Sequence, residues 1–196
     1  MPPLPPVTQA LLLINIATYA LDVLLGGQLT LWFGLWPLGS FFMPWQVVTY
    51  AFMHGSFNHL FFNMLGVFMF GSELERLWGT RRFVHFYGAS LLTAAIAQLI
   101  VTNLAGGPPY PTVGASGGLF GLLLAFGMLF PRRVILLFFV LPVPAGVLVV
   151  LYGLLELFQG VFGTQQGVAH FAHLGGMLGG WLMIRYWRRQ APFGRR

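Results

Sequence analysis

Gly114-Ala115-Ser116-Gly117-Gly118-Leu119-Phe120-Gly121 places one hydroxyl among small residues at the point where a long apolar run begins. Ala115 and Gly117 give Ser116 little side-chain cover. In the first turn of a helix the neighbouring backbone N–H groups have no intrahelical partner, so a nucleophile there has half of an oxyanion hole beside it. The same glycines are what two membrane helices need in order to pack closely. The stretch therefore reads two ways until its surroundings are known.

Those surroundings are apolar. Of 196 residues 57% are hydrophobic and 7% charged, with a mean hydropathy of +0.78, which is the mixture of an integral membrane protein. The net charge of +6 comes from ten arginines and no lysine. They lie in short clusters at the ends of apolar runs rather than along one face, so they argue for membrane topology and no nucleic-acid partner is expected. With no Cys there is no thiolate chemistry and no disulfide framework.

Helix from Ser116 to Phe130 would be ~22 Å long, short of a ~30 Å hydrocarbon core, so Ser116 is expected to start below the membrane surface. Pro131-Arg132-Arg133 follows. Outward from there, spans are expected over 7–25, 57–77, 83–104, 134–162 and 168–187. The segment Gly106-Gly107-Pro108-Pro109 stops the third, and Pro142 and Pro144 give the fifth an irregular entry. The fold class expected is an all-α membrane protein, six transmembrane helices in a single domain over 1–196. About 120 residues in spans leave no room for a separate soluble domain. The first run lacks a basic leader and is read as a retained span, with Asp22 near its end at the interface rather than buried. Residues 26–57 carry Trp32, Phe33, Trp36, Phe41, Phe42 and Trp45, a density that suits a long first external loop lying partly in the bilayer.

Six spans with both termini on one side put all ten arginines, from Arg76 to Arg196, on that side, which the positive-inside rule makes the cytoplasm. Loops 26–57, 105–113 and 163–167 are then external, and Ser116 sits at the outer end of its helix. In Val168-Ala169-His170-Phe171-Ala172-His173-Leu174-Gly175-Gly176 the sixth span enters from the same side, with His173 ~7 Å deep. In Met53-His54-Gly55-Ser56-Phe57-Asn58-His59-Leu60-Phe61-Phe62-Asn63 the second does so too, and the i, i+4 spacing puts His59 and Asn63 on one face. Polar side chains within spans are costly, and a shared depth asks for a reason. Hydrolysis supplies one: Ser116 attacks a carbonyl, His173 moves the proton, and the Ser116 N–H with His59 and Asn63 holds the oxyanion. Glu73 and Glu75 lie at the opposite end, and Asp22 and Glu156 belong to helices without a serine or histidine motif. A Ser-His dyad is therefore expected rather than a triad with a carboxylate.

At these residues the chain resembles the rhomboid intramembrane serine proteases in their compact six-span bacterial form. Gly114-Ala115-Ser116-Gly117 is similar to the family's Gly-x-Ser-Gly motif, Ala172-His173-Leu174-Gly175-Gly176 to its histidine motif, and His59-x-x-x-Asn63 to its oxyanion motif. Gly71-x-x-x-Glu75-x-x-x-Gly79 also resembles the pattern at the inner end of the second span. Trp45 falls where the first external loop has Trp-Arg, with Gln46 in place of the arginine. The resemblance puts Phe120 against the histidine. It implies cleavage of membrane-anchored proteins in or beside a transmembrane helix, in a bacterial inner membrane, with no metal or organic cofactor. A gate is expected at the fifth span and the loop before His170.

Other readings of single residues are structural. His54 and His170 could join His59 and His173 around a metal, but no carboxylate is expected beside them. His54 reads as a loop-stabilising hydrogen bonder and His85 as a satisfied residue near the inner end of the third span. Gly117-x-x-x-Gly121, Gly175-x-x-x-Gly179 and Gly176-x-x-x-Gly180 let the fourth and sixth helices approach. Glu156 and Gln159 either line a substrate path or bond between helices. Competing functions are a catalytically silent rhomboid-like chaperone or retrotranslocation factor, and a small transporter, for which no inverted repeat is visible.

Overall fold

The computed structural model describes residues 3–39, 41–106, 109–137, 140–163 and 169–189. Helix α1 (Pro6–Leu24) begins with proline at its first position, where the missing N–H costs nothing. Its next donors, Val7 N–H and Thr8 N–H, are taken by the Glu75 carboxylate at 3.0 and 2.7 Å. That carboxylate comes from a different span, so the Gly71-x-x-x-Glu75 stretch pins the start of α1. Buried Thr8, Leu11, Asn15 and Asp22 recur on one stripe, and the rest of α1 faces outward.

Asp22 is buried, contrary to the interfacial position expected for it. The reason is α2 (Gln28–Phe33), whose Leu29 and Thr30 N–H groups donate to Asp22 at 2.8 and 3.1 Å. A carboxylate at a helix N-terminus meets unpaired donors and a favourable dipole. The loop beyond it runs through α3 (Gln46–Thr49) and one 3-10 turn, Tyr50–Phe52. Gln46, 1% exposed, accepts from Trp36 N–H and Met43 N–H and donates to the carbonyls of Trp32 and Phe41. It gathers the loop with a neutral amide. Trp32, Phe41 and Trp45 point away from the protein, as an interfacial aromatic belt requires.

The expected second span is one helical path made of α4 (Phe57–Gly66), a π turn at Val67–Gly71 and α5 (Ser72–Trp78). Ser56 caps α4 by accepting from His59 N–H. After Gly79, α6 (Thr80–Ala105) runs back, and α7 (Ser116–Leu129) starts at the serine. At 14 residues, or ~21 Å, α7 is as short as expected.

Within the all-α bundle, the expected span over 134–162 needs one correction. Residues 134–144 form an antiparallel ribbon of β1 (Val134–Leu137) and β2 (Leu141–Pro144), and helix α8 covers only Ala145–Phe162 of the expected fifth span. Pro142 and Pro144 forbid helix there, and their two-residue spacing puts both missing donors on the outer edge of the ribbon. Helix α9 (His170–Arg189) completes the bundle. Among the described residues Pro6–Leu24, Thr80–Leu104 and Ala145–Phe162 are long and apolar enough to cross a membrane. The expected loop 163–167 falls almost wholly on 164–168, outside the described residues, as do Gly107, Pro108, Arg195 and Arg196.

Helix α9 lies between α6 and α7, and small residues set how closely. A Cβ at Gly176 would run into the Gly117 carbonyl, and one at Gly180 would meet Gly121 and Phe86. These contacts bring the first turn of α7 against the first turns of α9. At the opposite end Arg133 pairs with Glu73, Arg76 donates to the Pro3 carbonyl at 3.0 Å and Arg82 lies over Trp187. The arginines at 76, 82 and 133 therefore share one end, away from Ser116.

Candidate active site

Ser116 is the first residue of α7, and the backbone before it is fixed at several points. Gly114 adopts φ +127° and a Cβ there would press on the His59 ring, so glycine is required for two separate reasons. Its N–H donates to the Tyr50 carbonyl at 2.9 Å. Upstream, Thr112 and Leu35 exchange backbone bonds of 2.8 and 2.9 Å, and Gln98 donates to the Thr112 hydroxyl at 3.1 Å. No side chain caps α7, which leaves its first N–H groups directed at the space around Ser116.

His173, in the first turn of α9, places Nε2 2.9 Å from Ser116 Oγ. Phe120, one turn along α7 from the serine, stacks on the imidazole with centroids 4.2 Å apart and planes 5° apart. That leaves the ring little freedom to rotate. Ser116, His173, His59, Asn63 and Phe120 all line one cavity of about 510 Å³, together with the loop residues Tyr110 to Val113. All seven residues singled out for this site, Gly114 and Gly117 included, are brought together.

The oxyanion candidates differ in their state. Asn63 is buried and spends one amide hydrogen on the His59 carbonyl at 3.0 Å, which leaves the second for a ligand. Losing one oxyanion donor typically costs about 10²–10³ in turnover. Asn63→Ala is expected to lose that much in kcat with little change in KM; an unchanged kcat would remove Asn63 from the site.

His54 stands beside His59, ring centroids 5.0 Å apart, and burial pushes its imidazole down to about 3, with His59 adding to the shift. An unfolded histidine titrates near 6.5. The stability contributed by neutral His54 is therefore full above about pH 6.5 and is lost as the pH falls toward 3. The melting temperature is expected to fall over that window more steeply in the wild type than in His54→Gln. Parallel slopes would exclude His54 as the titrating group.

A carboxylate that the sequence reading did not place at the site stands beside the histidine. Glu156 of α8 places Oε2 2.6 Å from His170 Nδ1 and 2.9 Å from His173 Nδ1, all three residues buried. The contact to His170 is in line for a hydrogen bond; that to His173 is close but off line. No motif on α8 marks this acid in the sequence. Glu156 lies on α8 and both histidines on α9, so only the packing of the two helices brings them together. The three side chains also offer metal-ligand atoms within 4.8 Å of one another, so the premise that the histidines lack a carboxylate is wrong.

An apolar helical bundle holding a serine and an imidazole in contact at a cavity in its rim defines a narrow class of membrane proteins, and comparison with known proteins names it. Residues 41–190 match the family profile described as a rhomboid domain. The chain is 35% identical over 151 residues to Rhomboid protein 1, mitochondrial, of Saccharomyces cerevisiae, covering 74% of this chain and 43% of that protein. It is 30% identical over 138 residues to Rhomboid protease GluP of Bacillus subtilis, covering 69% and 24%. With Rhomboid protease GlpG of Yersinia pestis it shares 27% identity over 188 residues, covering 93% and 62%. This chain belongs to the rhomboid family. It spans between 24% and 62% of the length of these relatives.

Proposed function

We propose that the chain is an intramembrane serine endopeptidase that hydrolyses peptide bonds in or beside transmembrane helices of membrane-anchored proteins. The observation that carries this reading is the 2.9 Å contact between Ser116 Oγ and His173 Nε2 at the floor of a cavity in an apolar bundle. In the first step Oγ bonds to the scissile carbonyl carbon as His173 Nε2 takes the hydroxyl proton. The oxyanion forms against the Ser116 N–H, His59 and Asn63. The C–N bond then breaks, with the proton passing from His173 to the leaving amine, and water repeats the cycle on the acyl-enzyme ester.

A helical substrate hides its carbonyls in intrahelical bonds, so the segment cleaved must first unwind, which Gly or Pro makes easier. Helix α8 presents Val150, Leu154, Leu157 and Phe158 outward and is the side on which we place substrate entry and gating. The rest of the expected gate, the loop before His170, lies outside the described residues. The arginine-rich end is assigned to the cytoplasm of a bacterial inner membrane, with both termini there and the cavity open to the external face. No cofactor is assigned to the reaction.

The alternative, a catalytically silent chaperone or retrotranslocation factor on the same scaffold, has no use for a serine and an imidazole held at 2.9 Å. A fluorophosphonate probe separates the two. Covalent labelling of the folded protein at Ser116, lost in His173→Ala, is the expected result. Labelling elsewhere, or none, would favour the silent scaffold.

A further inference from the structure

We infer that Glu156 is a positioning residue for His173, held in place by His170, so that this chain works with a Ser116-His173-Glu156 arrangement and an auxiliary imidazole rather than an unassisted dyad. The inference rests on the serine-protease reading of Ser116 and His173.

Glu156 is the one buried residue in the second half of α8, on a helix otherwise dressed for lipid, and a carboxylate in a span needs partners to remain there. Its partners come from α9. The i, i+3 spacing of His170 and His173 puts both rings on the face turned to α8, and both Nδ1 atoms reach the same oxygen, at 2.6 and 2.9 Å. An ionised carboxylate is an acceptor only, so it takes the Nδ1–H of His170 in line, and a proton on His173 Nδ1 faces the same oxygen at 2.9 Å without the alignment of a hydrogen bond. For His173 that proximity has a chemical consequence. A proton on Nδ1 leaves Nε2 as the lone-pair nitrogen, and Nε2 is the atom that faces Ser116 Oγ. The nearby negative charge favours the tautomer that can accept the hydroxyl proton, and the carboxylate lies where positive charge appears when it does.

His170 has a different task. Its Nδ1 contact is the in-line one, while its Nε2 is buried with no partner among the described residues. A neutral ring donating through Nδ1 leaves an unused acceptor at Nε2, whereas a protonated ring would bury an N–H with no acceptor, the costlier state. His170 is therefore the in-line partner that orients Glu156. The other titratable groups at hand are Tyr152 on α8 beside Glu156 and His59 on α4 beyond His173; at working pH a tyrosine is neutral.

The test uses the full chain in liposomes with a membrane-anchored reporter. Glu156→Gln is expected to lower kcat about 10- to 100-fold, less than the ~10⁴-fold seen where a triad carboxylate sits squarely on its ring nitrogen. The acid limb of kcat/KM should move to lower pH, because the imidazolium loses its neighbouring charge, while KM stays. Glu156→Asp should recover part of the rate, and His170→Asn, which keeps an amide donor, should retain more than His170→Leu. A wild-type rate with an unmoved acid limb in Glu156→Gln overturns the inference. So does loss of wild-type activity to a chelator with recovery on adding zinc, which would give the three donors to a metal. Should Glu156→Gln fail to fold, nitrogen-15 NMR of the wild type decides: a proton on Nδ1 of His173 supports the inference and one on Nε2 sinks it. If Ser116→Ala and His173→Ala are as active as the wild type, the protease reading itself fails, and separately.

Discussion

Replacing Ser116 with alanine is expected to lower cleavage of a membrane-anchored reporter by about 10⁴-fold or more, some 5 kcal/mol of barrier, and His173→Ala by a similar factor. The size follows from how the two groups act. Without Oγ no acyl-enzyme forms, and without Nε2 at 2.9 Å the hydroxyl keeps its proton. Because each is useless alone, the double variant should be no worse than either single one. The bundle should be unaffected, since Ser116 is only half-buried and its side chain carries no other recorded hydrogen bond. Measurement of kcat in liposomes on folded protein checks this. A single variant that keeps a tenth of the wild-type rate would remove that residue from the chemistry.

The second large effect is structural. Gly176→Leu is expected to separate α9 from α7, because even a Cβ at that position runs into the Gly117 carbonyl. Ordinary overpacking costs about 1–3 kcal/mol where side chains can shift, but here the obstacle is backbone in the turn that carries Ser116. The cost should exceed that range, with melting well below the wild type and fluorophosphonate labelling lost in whatever fraction stays folded. Gly79→Ala is a useful contrast: nothing lies within 4 Å of a Cβ there and only its φ of +77° resists the change, so a small loss of stability with full labelling is expected. Wild-type melting in Gly176→Leu would mean that the α7 and α9 contact does not set the site.

Some of this was present in the chain itself. The apolar runs, their lengths and the arginine clusters define a helical membrane bundle, because burying a backbone in lipid leaves few solutions. Short motifs singled out Ser116, His173, His59 and Asn63, since each is polar at a depth where polarity is costly. The glycine spacings already implied a close approach of two helices. Local chemistry of this kind repeats with the helical period and so can be read along one dimension.

Other features exist only once helices pack against one another. Asp22 reads as an interfacial acid until α2 is seen to dock its first N–H groups on it. Pro142 and Pro144 announce a break, yet only pairing with Val134–Leu137 decides that the break is a ribbon. Gln46 looks like a lost arginine and instead binds four points of its loop. Glu156 is the sharpest case, an acid on a helix with no motif that stands 2.9 Å from Nδ1 of His173 once α8 and α9 pack together. Sequence by itself determined that the chain is an apolar helical bundle and singled out the serine and histidine as candidates, because those follow from periodicity and local cost. Tertiary structure alone decided which acid stands behind that histidine, because contact between α8 and α9 depends on how two helices are rotated and set in depth, and neither quantity is written in the spacing of either helix.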